Sequence, residues 1–176
     1  MNKTDLRIQA AREGGAVSRY HAGLALRPYN VAMHSYNAVS LLMLLHPNPS
    51  PNLIKAVLWH DVGERWIGDT PRTAMWMDAE FGEMYERLEK RILDKLELFS
   101  SLDPYELKWL KAVDTLELWL WTREELALGN QTVQQMEHVC FSLLTRSMSL
   151  PFWVQKFMER VACKPYTRLP DDFSKI

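Results

Sequence analysis

Three stretches with the apolar spacing of helices each carry, in the middle of the apolar face, a side chain that water normally keeps: His34, then His60 followed by Asp61, then Asp114. The helical neighbours of His34 are Val31, Ala38, Leu41 and Leu45; those of His60 are Leu53, Ala56 and Val57; those of Asp114 are Leu107, Leu110, Leu118 and Trp121. All three groups therefore point inward. An imidazole or carboxylate on a buried face costs several kcal/mol unless something compensates it, and one divalent cation compensates all four at once. The chain is thus constrained to a fold in which three helices converge on one point.

Taken singly, each residue has a plainer explanation, a hydrogen-bonded core histidine or an aspartate paired with Lys111 one turn back. Together they make a set of two nitrogens and two carboxylates, which suits zinc, cobalt, manganese or iron better than calcium and leaves positions open for water or substrate. Glu64 stands four residues after His60 and three after Asp61, on the same side of one expected helix.

Helix signals dominate and strand alternation is nearly absent, so the expected class is all-α. Thr4 is the expected cap of a first helix ending near Glu13, where Gly14 and Gly15 follow, and residues 16–30 read as a loop. A second helix is expected over about 31–46, up to the Pro47-Asn48-Pro49 turn. Ser50 and Pro51 start a third that carries His60, Asp61 and Glu64 and stops near Gly68, leaving Asp69-Thr70-Pro71-Arg72 as a loop beside the metal. Further helices are expected over about 78–98, 104–129, 132–147 and 151–162, before an irregular tail. Trp119 and Trp121 are expected on different sides of their helix, as core plus an oligomer contact or, alternatively, as a shelf for a nucleobase. His46 and His138 read as structural or surface residues.

The 176 residues suit one well-buried domain, and 47% apolar composition with seven tryptophans supplies its core. A net charge of −1 gives no footprint for nucleic acid or an anionic membrane, and no apolar run spans a bilayer. Cys140 and Cys163 are isolated and read as reduced thiols, so a cytoplasmic protein is expected.

The order His34, His60-Asp61, Asp114 resembles the HD-domain phosphohydrolase superfamily over roughly residues 16–130. Arg19 and the run His60-Asp61-Val-Gly-Glu64-Arg-Trp-Ile-Gly68-Asp69-Thr-Pro71 are similar to its bacterial 5′-deoxynucleotidase branch. Within that branch the short length, Ser18-Arg19-Tyr20-His21 and Lys111-Ala-Val-Asp114 are most similar to the phage dATP triphosphohydrolases, which remove adenine nucleotide where the viral DNA carries 2-aminoadenine. The resemblance implies a single HD-domain helical bundle over residues 1–176 that binds a divalent cation (zinc, cobalt, manganese or magnesium) through His34, His60, Asp61 and Asp114. It implies Glu64 and Asp69 as catalytic acids and Arg19, Lys111 and Arg72 as phosphate contacts. It also implies Tyr20 and Ala22 at the base, a nucleotide substrate, and a homo-oligomer, dimer or hexamer. Two departures stand out: Met75 where the branch has a lysine, and the small Ala22 where it has a bulky apolar residue. The other functions weighed are a general 5′-deoxynucleotidase acting on monophosphates and a non-catalytic module that binds a nucleotide; for the latter, acids poised beside a metal have no use.

Overall fold

The computed structural model describes residues 2–98, 101–147 and 149–167; the tail expected beyond the last helix lies, from residue 168, outside the described residues. Helix α1 spans Lys3–Gly15, and its cap is Asn2 rather than Thr4. The Asn2 side chain accepts from Asp5 N at 2.9 Å, so the helix starts two residues earlier and Thr4 falls inside its first turn. Helix α2, Val31–Leu45, is capped by Asn30 accepting from Met33 N, and α3, Pro51–Trp59, by Ser50.

The expected continuous helix from Pro51 to Gly68 is broken. His60 Nδ1 donates to the Val57 carbonyl at 2.9 Å, the acceptor a continuing helix would offer to Asp61. The backbone N–H groups of Val62, Glu64, Arg65 and Trp66 then bond three residues back, to Trp59, Asp61, Val62 and Gly63. His60 and Asp61 therefore sit in a tight turn, and Glu64 begins a separate short helix α4, Glu64–Ile67, which Gly68 ends at φ +75°. Helix α1 comes close enough to this turn that a Cβ on Gly14 would lie 2.8 Å from the Val62 carbonyl oxygen.

Arg72, expected as the last residue of a loop, instead opens α5, Arg72–Met77, and α6 follows over Ala79–Lys95. The longest helix, α7, runs Pro104–Ala127 from a capping box of Asp103 and Glu106. After a 3-10 turn at Gln131–Val133 come α8, Gln134–Ser142, a π turn at Leu143–Ser147, and α9, Phe152–Val161. The main core gathers Leu42, Leu53, Val57, Trp109, Val113, Leu116, Trp119 and Leu144 from α2, α3, α7 and the π turn around α7.

Because α7 is covered on several sides, its tryptophans are interior, not an oligomer contact. Trp119 faces α8, its Nε1 donating to Glu137 at 2.8 Å, while Trp121 stacks on Tyr29 with ring centroids 4.5 Å apart. Among the described residues no helix is long and apolar enough to cross a membrane.

Candidate metal centre

Helix α2 supplies His34, the turn after α3 supplies His60 and Asp61, and α7 supplies Asp114. Their ligand atoms meet. His34 Nε2 lies 3.1 Å from Asp114 Oδ1, 3.3 Å from His60 Nε2 and 3.7 Å from Asp61 Oδ2. His60 Nε2 lies 3.3 Å from Asp61 Oδ1 and 3.7 Å from Asp114 Oδ1. A cation about 2.1 Å from four tetrahedral donors sets them about 3.4 Å apart. His34, His60 and Asp61 thus form a group whose spacing and chemistry suit one divalent ion, and Asp114 Oδ1 lies against both histidines.

The ring orientations agree. His34 is fully buried, and its Nδ1 is 2.5 Å from Glu117 Oε2; His60 Nδ1 is committed to the Val57 carbonyl. Both rings thus turn Nε2 toward the common point. Glu117 also accepts from Tyr29 Oη at 2.5 Å and from Asn37 Nδ2 at 3.1 Å. With no cation counted, burial disfavours a charge on His60 but Asp61 and Asp114 outweigh it, and its pKa rises to about 9. Asp114 moves the other way: burial opposes ionisation, yet the two histidines hold it well below the usual carboxylate range.

Arg19 reaches this cluster from the 16–30 segment. Its Nη1 donates to Asp61 and lies 3.4 Å from Glu64 Oε1, while its Nε is buried without a partner among the described residues. Glu64 is buried too, with Oε2 unpartnered among the described residues; burial first, then Asp61, pushes its carboxyl up to about 9. Asp69 lies beside the Arg19 segment, where its Oδ2 accepts from Tyr20 N at 2.9 Å and stands 3.6 Å from His21 Nδ1. Arg72, at the start of α5, puts Nη2 3.3 Å from Asp114 Oδ2.

The other expected contacts are less engaged. Lys111 is exposed on α7 one turn before Asp114 and makes no hydrogen bond or ion pair among the described residues, and Ala22 is exposed on the loop. The Tyr20 ring, on a backbone with φ +56°, lies against Trp121 with centroids 5.1 Å apart.

Three residues that shape the site carried no functional expectation. Glu117 stands three residues after Asp114 on the inward face of α7, a spacing visible in the sequence; the partner that makes it meaningful, His34, lies 83 positions away. Glu125 and Asn130 hold the loop from its far side. Glu125 is fully buried and accepts from Leu26 N at 2.7 Å, Arg27 Nε at 3.0 Å and Asn130 Nδ2 at 2.8 Å. Asn130 Nδ2 donates as well to the Leu24 carbonyl at 2.8 Å. At its stem the loop is closed by Arg19 N donating to the Tyr29 carbonyl and Val31 N to the Val17 carbonyl.

No protein-family model matches the chain, and no curated protein matches it in sequence. Solved structures do. The HD phosphohydrolase DatZ of cyanophage S-2L, bound to dA and one catalytic Zn2+ ion, superposes with a TM-score of 0.68 at 20% identity, covering 91% of this chain and 94% of that one. An HD-domain phosphohydrolase from Listeria innocua gives 0.72 at 19% identity over 90% and 87% of the two chains. A conserved hypothetical protein from Pyrococcus furiosus gives 0.70 at 20%, over 90% and 98%. The fold is the all-α HD-domain phosphohydrolase fold.

Proposed function

We propose that this chain is a divalent-metal-dependent phosphohydrolase of deoxynucleotides, with dATP preferred, dADP and dAMP as further substrates, and deoxyadenosine as the nucleoside product. The observation that carries it is the group of His34, His60 and Asp61, spaced for one divalent ion with Asp114 against both histidines, and with Glu64 and Arg19 beside it. A divalent cation held by His34, His60, Asp61 and Asp114 supplies Lewis acidity, which brings the pKa of water toward neutrality.

The chain's own residues do the rest. Glu64 orients the attacking water and takes its proton; positive charge at the ligand cluster and on Arg19 favours the ionised carboxylate that this needs. Attack at the α-phosphorus expels the 5′-oxygen, which Asp69 protonates. Arg19, whose Nε has no acceptor among the described residues, takes a phosphate oxygen, and Arg72 and Lys111 offset the remaining charge. Tyr20 and Ala22 border the base. The deoxyadenosine bound to DatZ supports an adenine nucleotide on this fold. The working unit we infer is one domain over residues 1–176, homo-oligomeric and cytoplasmic, depleting dATP while phage DNA with 2-aminoadenine is made.

A broader 5′-deoxynucleotidase acting on monophosphates is the second reading, favoured by exposed Ala22 and by Met75 in place of a lysine. Product analysis with the four dNTPs and four dNMPs, after chelation and metal add-back, separates the two. Metal-dependent release of inorganic triphosphate from dATP, with dGTP at least about tenfold poorer in kcat/KM, is expected, as an unmet buried donor costs about 1–3 kcal/mol. Equal values for dATP and dGTP remove the adenine preference and leave the hydrolase; orthophosphate from monophosphates alone selects the second reading; no hydrolysis with any metal overturns both.

A further inference from the structure

Glu117 is the most heavily engaged buried carboxylate near the cluster, yet none of its contacts is with a group that would touch substrate. One oxygen, Oε2, meets both His34 Nδ1 and Tyr29 Oη at 2.5 Å; the other meets Asn37 Nδ2 at 3.1 Å. Tyr29 and His34 also face each other, Oη to Nδ1 at 3.1 Å, with their rings edge to face. The three central side chains are interior, His34 0% exposed, Glu117 3% and Tyr29 5%, so water is kept from the bonds among them, while Asn37 is exposed and closes the group from the surface side. The Tyr29 carbonyl receives Arg19 N at 2.9 Å, and its ring lies 5.8 Å from the Arg19 guanidinium carbon.

We propose that Glu117 is the positioning residue of the metal centre, holding His34 with its proton on Nδ1 so that Nε2 alone is offered to the cation, and tying that ring through Tyr29 to the segment that presents Arg19. An imidazole rotated about its Cβ–Cγ bond, or carrying its proton on Nε2, loses its place among the donors. A carboxylate fixed behind the ring prevents both and raises the ring's donor strength. Asn37 and Tyr29 in turn prevent the carboxylate from swinging away. The inference rests on the metal reading above and not on the choice of nucleotide.

The test uses the full chain and zinc alone, without nucleotide. Chelator competition measures zinc affinity for wild type, Glu117→Ala, Glu117→Gln and Glu117→Met, and long-range 1H–15N spectra of the zinc-loaded wild type locate the ring proton of His34. Expected are a proton on Nδ1 and an affinity about 10–100-fold weaker in Glu117→Ala. Glu117→Gln, which keeps an acceptor oxygen, should recover most of that loss and Glu117→Met, which fills the space without a strong acceptor, should not, whereas a purely packing role is met by both. Should Glu117→Ala fail to fold, Glu117→Met takes its place. Unchanged affinity in a folded acceptor-free variant, or a His34 proton on Nε2 in wild type, overturns the proposal. Zinc binding that depends on Glu117 in a chain that hydrolyses no nucleotide sinks the proposed function and leaves this inference standing. dATP hydrolysis with Glu117-independent zinc binding does the reverse.

Discussion

Glu64 and Asp114 lie within the same small volume but answer to different chemistry. Asp114 is held by two histidines and is a metal donor under the proposed function, whereas Glu64 makes a single 3.4 Å contact with Arg19 and has one buried oxygen without a partner among the described residues. Glu64→Ala should therefore retain zinc at wild-type stoichiometry while kcat falls at least about 10²-fold, the scale of a general acid or base. Asp114→Ala should instead lose the metal. Elemental analysis beside single-substrate kinetics distinguishes the two, and a Glu64→Ala enzyme with near-normal kcat removes the assignment.

At the scale of elements, the site depends on two close fits outside it. The first is α1 against the turn of His60 and Asp61, where Gly14 leaves room for the Val62 carbonyl. Gly14→Ala gains up to about 1 kcal/mol of helix propensity. It also drives a methyl to 2.8 Å from a backbone oxygen that cannot rotate away, and overpacking of this kind costs about 1–3 kcal/mol. The balance is expected to be a loss, read as a lower thermal midpoint with weakened zinc binding. The second fit is the 16–30 loop on the end of α7. Glu125→Ala releases Leu26 N, Arg27 and Asn130 together, so Arg19 and Tyr20 lose their support. KM for dATP should rise several-fold, with zinc affinity unchanged because no ligand is touched; an unaltered KM in a folded variant contradicts this.

Two expectations concern the whole molecule. His60 holds its proton to about pH 9 in the metal-free fold against an ordinary 6.5, Glu64 to about 9 and Glu89, mainly through burial, to about 7 against an ordinary 4.5. The folded chain thus binds these protons more tightly than the unfolded one. The contribution of His60 is complete below 6.5 and those of the two glutamates below 4.5, and all three are lost as pH rises through the folded values. The thermal midpoint of the metal-free protein should fall between pH 7 and 9, and zinc, which displaces the His60 proton, should flatten that fall. A midpoint that rises over this range is the contrary result. The second expectation is self-association through α2. With the α7 tryptophans interior, the exposed apolar surface that remains includes Tyr36, Met43 and Leu44 of α2 and Leu58 of α3, which border an uncharged depression of about 530 Å³. Contiguous exposed apolar area marks an interaction surface, and a subunit contact is one of its uses. Light scattering should give a multiple of the 20.6 kDa chain mass, and Leu44→Glu should reduce it; a wild-type monomer at micromolar concentration contradicts the expectation.

That His34, His60 and Asp114 turn inward to one place was legible in the sequence because a helix repeats every 3.6 residues, so a histidine or aspartate on an apolar stripe announces its direction whatever surrounds it. Caps and prolines announced α2, α3 and α7 for the same local reason. The break after Trp59 was not legible, since it depends on the His60 ring taking the Val57 carbonyl and on α1 pressing against the turn. Nor were the supports of the site: Glu117 with His34 and Glu125 with Leu26 join residues 83 and 99 positions apart. The sequence determined which side chains face inward, a matter of local periodicity. Only the tertiary structure decided which distant carboxylate stands behind which ring and loop, because those pairings depend on how the helices pack and not on any spacing along the chain.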